Sequence, residues 1–126
     1  MQNSLPPVEI DEADLKRLVT QFYARVRKDQ VLGPIFNDAV HDWPEHLEKL
    51  TDFWSSVMLT TGRYKGRPMP AHMKHQGRIT PDMFARWLDL WAQTTREVMP
   101  ANAALVLQAK AHRIAESLQM ALFYRP

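Results

Sequence analysis

His46 stands in the middle of an apolar helical stripe, His46-Leu50-Phe53-Trp54-Val57, at a place where periodicity asks for Leu or Ile. A buried imidazole must find a partner or cost about 1–3 kcal/mol. It is therefore either a satisfied core histidine or part of a cavity wall facing a ligand. Tyr23 and Trp87 fall on the inward faces of two further helical segments, and each alone reads more simply as core. Together with His46 they would set three donors around one apolar hollow, which suits a small ligand that becomes partly anionic when bound. His72 and His75 lie three residues apart between Pro70 and Gly77 and share a face if that segment is helical. They read as a two-histidine metal site, as a single axial ligand to haem iron, or as exposed loop histidines.

Other chemistries find less support. Cysteine is absent, which removes disulfides, thiolate metal sites and a cysteine nucleophile together. No GxSxG, P-loop or GxGxxG sequence occurs. The pairs Asp11/Asp14 and Glu45/Glu48 read as helix-start and solvent-face charges, and the run Arg25–Lys28 as a solvated helix end. The net charge of +2 argues against nucleic-acid binding by bulk charge. No apolar run approaches the roughly 18 residues of a membrane span, and the first residues carry neither a basic start nor an apolar core. A cytoplasmic domain is expected, with residues 1–10 as a flexible N-terminal segment and 11–126 as the domain.

The elements that would position these residues are helices. A first runs from about Asp11, its cap, to Asp29, with Leu15, Leu18, Val19, Phe22, Tyr23 and Val26 inward. Pro34-Ile35-Phe36 opens one short helical turn. A second long helix begins at the cap Asp42 with Pro44 in its first turn and stops before Gly62. Residues 62–70 read as a loop, and 71–75 as one helical turn. Thr80-Pro81-Asp82 starts a third long helix carrying Phe84, Trp87, Leu88, Trp91 and Val98, broken at Met99-Pro100. The last runs from about Pro100 to Phe123 with Leu105, Leu107, Ala111, Ile114, Leu118 and Leu122 inward. Four Trp, seven Met and five Phe supply bulky volume that lines a cavity as readily as it fills a core. The fold class is all-α.

The pattern as a whole resembles a truncated haemoglobin. Phe22-Tyr23 through Gly33-Pro34-Ile35-Phe36-Asn37 resembles the opening of that family, and Trp43-Pro44-Glu45-His46 followed by Phe53-Trp54 resembles its distal helix. Gly62-x-Tyr64-x-Gly66-x-Pro68-x-x-x-His72, then Phe84-x-x-Trp87-Leu88, resembles group III in particular, as does the lack of the double-glycine motifs of groups I and II. The match runs from about Leu15 to Tyr124. It implies a two-over-two helical sandwich enclosing haem b, held without covalent attachment. It implies His72 as the proximal iron ligand, with His75 a rival in the same segment. Tyr23, His46 and Trp87 fall at the distal positions, with Leu50 on the same wall. Phe36 falls where globins pack a phenylalanine on the haem face, and Tyr64, Arg67 and Arg78 are loop residues suited to the propionates. The resemblance further implies binding of dioxygen, nitric oxide or a similar diatomic ligand for redox chemistry, with electrons from an external reductase. A nitric oxide dioxygenase or a peroxidase-like activity would both suit it. The contrasting expectations are a cofactor-free helical module binding another protein, and a non-haem metal protein using His46, His72 and His75.

Overall fold

Three of the four long helices start on a side-chain cap. Asp11 accepts from the Asp14 amide at 2.9 Å while Asp14 accepts from the Asp11 amide at 3.0 Å, a reciprocal box. Asp42 accepts from the Glu45 amide at 3.1 Å and Thr80 from the Met83 amide at 3.4 Å, each ahead of a proline in the first turn. In a computed structural model that describes residues 9–66, 72, 74, 75 and 77–123, the helices are α1 (Glu12–Lys28), α2 (Gly33–Ala39), α3 (Trp43–Leu59), α4 (Pro81–Val98) and α5 (Ala101–Phe123). No strand occurs among the described residues.

Helix α1 packs against α3 on one side and α4 on the other, and α4 packs against α5. The result is two helix pairs laid over each other. The inward face of α1 is the one its periodicity predicts, with Leu15, Leu18, Val19, Phe22 and Val26 fully covered. Trp91 of α4 ties the layers together. Its ring stacks on Trp54 of α3 at 4.5 Å and on Trp87 at 5.6 Å, and its indole N–H donates to the Leu107 carbonyl of α5 at 3.1 Å. The α1–α2 corner is tied by Asp29, whose carboxylate accepts from the Val31 and Leu32 amides at 3.0 and 2.9 Å and from Arg86 of α4 at 2.8 Å. Gly33 is required there, because a Cβ would fall 2.7 Å from the Arg27 carbonyl oxygen.

Four expectations change. Leu105 is 67% exposed. It lies two residues from Leu107, so no helix can turn both inward. The covered face is instead Ala103, Ala104, Leu107, Ala111, Ala115, Leu118 and Leu122, whose small residues let α4 approach closely. The single helical turn expected at Pro34 extends to a seven-residue helix. Arg25 is no solvated helix end, since it donates to Thr94 Oγ1 at 3.1 Å and pairs with Glu97. Ile10, assigned from sequence to the N-terminal segment, is buried in the core.

Candidate functional site

Three helices bring the donor-bearing side chains together. Tyr23, on the inward face of α1, is 4% exposed, with Phe36 of α2 at 5.7 Å, Trp43 of α3 at 6.1 Å and His46 at 6.3 Å between ring centroids. The Phe22 ring packs edge-on to Tyr23 at 4.7 Å and to Trp87 of α4 at 5.4 Å. The Trp87 indole faces the Tyr23 phenol closely enough to act on it as a hydrogen-bond donor would. An indole only donates, so the phenol oxygen accepts and its own O–H remains to be given elsewhere.

Burial pushes the Tyr23 phenol up to about 12, against a smaller downward pull from the Trp87 bond. At neutral pH Tyr23 is thus a protonated donor. Burial, and then the Lys49 ammonium one turn on, hold the half-buried His46 below the ordinary histidine range, so its imidazole is neutral. Leu50 lies one turn beyond His46 on α3, half-buried against the core.

On the chain leading away from α3, Tyr64 packs edge-on to Phe53 at 5.2 Å, and its amide donates to Ser56 Oγ at 2.9 Å. Its phenol folds back over Gly66, where a Cβ would meet the Tyr64 oxygen at 2.6 Å. Burial also raises the Tyr64 phenol, against a smaller lowering by Lys49. His72 is helical and half-buried, and its carbonyl accepts from the His75 amide at 3.0 Å. The His75 carbonyl in turn accepts from the amides of Arg78 and Ile79 at 2.9 and 3.1 Å, which fixes the turn into α4. The Arg78 guanidinium pairs with Asp38 at 3.0 Å. Arg67 lies outside the described residues, as do Ala71 and Met73 beside His72.

The expected residues therefore fall into two groups. Tyr23, Trp87, His46, Phe36 and Leu50 line one neighbourhood, while Tyr64, His72 and Arg78 lie along the connection between α3 and α4. The residues alone had not pointed to Phe22 and Lys49. Lys49 is legible as the i+3 neighbour of His46, whereas nothing in the sequence marks Phe22 apart from any core residue. Among the described residues no group of three or more His, Cys, Asp and Glu stands together as a metal site, so the triad His46, His72 and His75 finds no support.

The wall beside these donors fits a large apolar group. Helix α3 buries only Trp43, Trp54 and Ser55 outright, leaving Leu47, Leu50, Phe53, Val57 and Met58 half-covered, like Met83, Trp87 and Leu88 of α4. Helix α1, by contrast, keeps its whole apolar face covered. A row of large side chains incompletely covered along one helix is what a flat apolar cofactor would close, and the imidazole of His72 is a donor suited to iron.

Comparison with known proteins agrees with this arrangement. The family model for bacterial-like globins matches residues 10–122. The Group 3 truncated hemoglobin ctb of Campylobacter jejuni is 32% identical over 118 residues, covering 90% of this chain and 92% of that protein. The crystal structure of group III truncated hemoglobin from Campylobacter jejuni superposes with a TM-score of 0.82 at 33% identity, over 94% of this chain and 96% of that one. The helix order, the doubled layers and the matched sequence together make the chain a bacterial-like globin of the group III truncated haemoglobins, a family that binds haem.

Proposed function

We propose that this chain holds haem b through His72 and binds dioxygen, nitric oxide or a similar diatomic ligand on the side lined by Tyr23. Haem, when bound, would supply the iron that takes the diatomic ligand and the redox chemistry of the site. The observation that carries the reading is the Tyr23 phenol itself: buried, kept protonated, and set among His46, Phe36 and the Trp87 indole. Its O–H is the donor proposed for the bound ligand, and the donation strengthens as that ligand gains negative charge. Neutral His46 stands as gate or second partner, and Phe36 and Leu50 exclude water from the same hollow. Tyr64, Arg67 and Arg78 are proposed for the propionates.

Strong donors at this position slow ligand release, which suits redox chemistry better than delivery. Oxidation of nitric oxide to nitrate and reduction of peroxide both fit this donor set, with electrons from an external reductase and the cytoplasm as the setting. The test is the visible spectrum of the haem-supplemented protein beside its His72→Ala and His75→Ala variants. A strong Soret band that collapses or shifts sharply in His72→Ala alone is expected. A band unchanged in that variant moves the ligand to His75 or His46, and no band in the unaltered protein leaves the cofactor-free interaction module as the reading.

A further inference from the structure

The three cations that close α1 have different surroundings. Arg25 is held by Thr94 and Glu97. Arg27 and Lys28 make no ion pair among the described residues, and the Arg27 guanidinium lies 4.6 Å above the Trp43 ring. Both line a groove of about 560 Å³ between α1, α2 and the start of α3, together with Ala24, Asn37, Val40 and Trp43. The neighbouring carboxylates are already engaged: Asp29 by Arg86, Asp38 by Arg78, and Asp42 by the amide it caps. Asn37 donates one amide hydrogen to the Arg27 carbonyl at 3.2 Å, which leaves its carboxamide fixed in place with donor and acceptor capacity to spare.

We infer that this groove is a binding site for a small organic anion with a flat apolar body, of the aryl phosphate or aryl carboxylate class. The volume falls within the range of small-molecule sites. The lining divides into an apolar part, Ala24, Val40 and the Trp43 edge, and a cationic part, Arg27 and Lys28, with the amide between. A bare inorganic anion would use only the two exposed cations, which water and salt screen. A neutral aromatic compound would leave those cations without a counter-ion. An anion with a flat body uses both parts, and a planar guanidinium already seated on an indole is preorganised to grip it. The site uses none of Tyr23, His46, His72 or Trp87, so it stands whether or not the haem reading does.

The experiment is a nuclear magnetic resonance titration following the Trp43 indole N–H, assigned by its loss in Trp43→Phe, with phenyl phosphate, inorganic phosphate and benzyl alcohol as probes. Phenyl phosphate is expected to shift that resonance saturably at or below about 1 mM, the affinity of a few well-placed contacts. Inorganic phosphate and benzyl alcohol are expected to bind at least about tenfold more weakly, and Arg27→Ala to weaken phenyl phosphate by about tenfold, the low end for a charge-assisted bond. Because Arg27→Ala also alters the Trp43 environment, Lys28→Ala serves as the second variant, with a loss of about threefold expected for a more exposed cation. The absence of a saturable shift up to about 10 mM overturns the site. So does equal binding of inorganic phosphate, or of phenyl phosphate to both variants.

Discussion

Trp87 has one N–H, and the Tyr23 oxygen is the acceptor it acts on. The two residues, placed by sequence as parallel donors, are therefore arranged in series. Tyr23→Phe is expected to speed release of bound oxygen by about 10- to 100-fold, the worth of one bond to a charged acceptor. Trp87→Phe leaves the phenol in place without its polarising partner, so a smaller acceleration is expected, and the double variant should release ligand no faster than Tyr23→Phe alone. Stopped-flow dissociation kinetics measure all three, and additive effects would mean two independent donors. The pH profile gives a further check. Burial pushes the phenol up to about 12, so the donor keeps its proton through the region near 10 where an exposed tyrosine ionises. Release should stay constant from about pH 7 to 11 and accelerate only beyond it. The positions of Tyr23, His46 and Trp87 were legible because each breaks or decorates a clean 3.6-residue stripe. Their order of donation was not, since it depends on which indole edge faces the phenol across two helices.

Asp29 holds three elements at once, and it shows how far element boundaries carry beyond periodicity. Its carboxylate takes the Val31 and Leu32 amides at the α1–α2 corner and Arg86 from α4. Burial alone would raise its pKa, but the Arg86 bond and the Leu32 and Val31 amides outweigh it and hold the group below its ordinary value of 3.8. A carboxyl whose folded pKa is depressed binds fewer protons folded than unfolded, so its contribution is complete above the unfolded value. That contribution is lost as the pH falls through the folded one. Asp29→Ala should thus destabilise by about 1–3 kcal/mol at neutral pH, for the orphaned amides. The deficit relative to the unaltered protein should shrink below about pH 4 in denaturant titrations. A deficit independent of pH would place the loss in packing instead. Helix starts were readable because caps are local, a Ser, Thr or Asp beside a proline or an acid. The failures were tertiary. Thr94 and Thr95 lie buried on α4 because their hydroxyls turn back to the Leu90 and Trp91 carbonyls at 2.7 and 2.9 Å, which makes polar residues compatible with a core face. Arg25 reaches Thr94 only because α1 crosses α4, a meeting that no pattern within α1 announces.

At the scale of the whole molecule the two helix pairs are unequally covered, and that asymmetry predicts what the cofactor does for stability. The α1 face and the Trp54–Trp91 stack are sealed by protein alone, whereas Leu47, Leu50, Phe53 and Val57 on α3 remain half-open. Haem that binds the native chain and not the unfolded one stabilises by mass action, about 2.7 kcal/mol when free haem stands at 100 times its dissociation constant. For a domain of this size that is on the order of 10 °C in Tm. Removing haem should lower Tm by about that much while leaving a helical, cooperatively folded chain, because the α1–α4–α5 core does not depend on it. Hydrogen exchange locates the effect: protection lost on haem removal should concentrate in α3 and around His72, and be small along α1 and α4 near Trp91. Uniform loss along all helices would mean that the cofactor organises the entire fold. No loss at all would return the half-open α3 wall to the interaction module, whose partner would have to cover the same side chains. The sequence carried the helix order and, of that wall, Leu50, Phe53 and Val57, though not Leu47. It did not carry the wall's incompleteness, since periodicity marks which side chains face inward but not whether protein arrives to meet them.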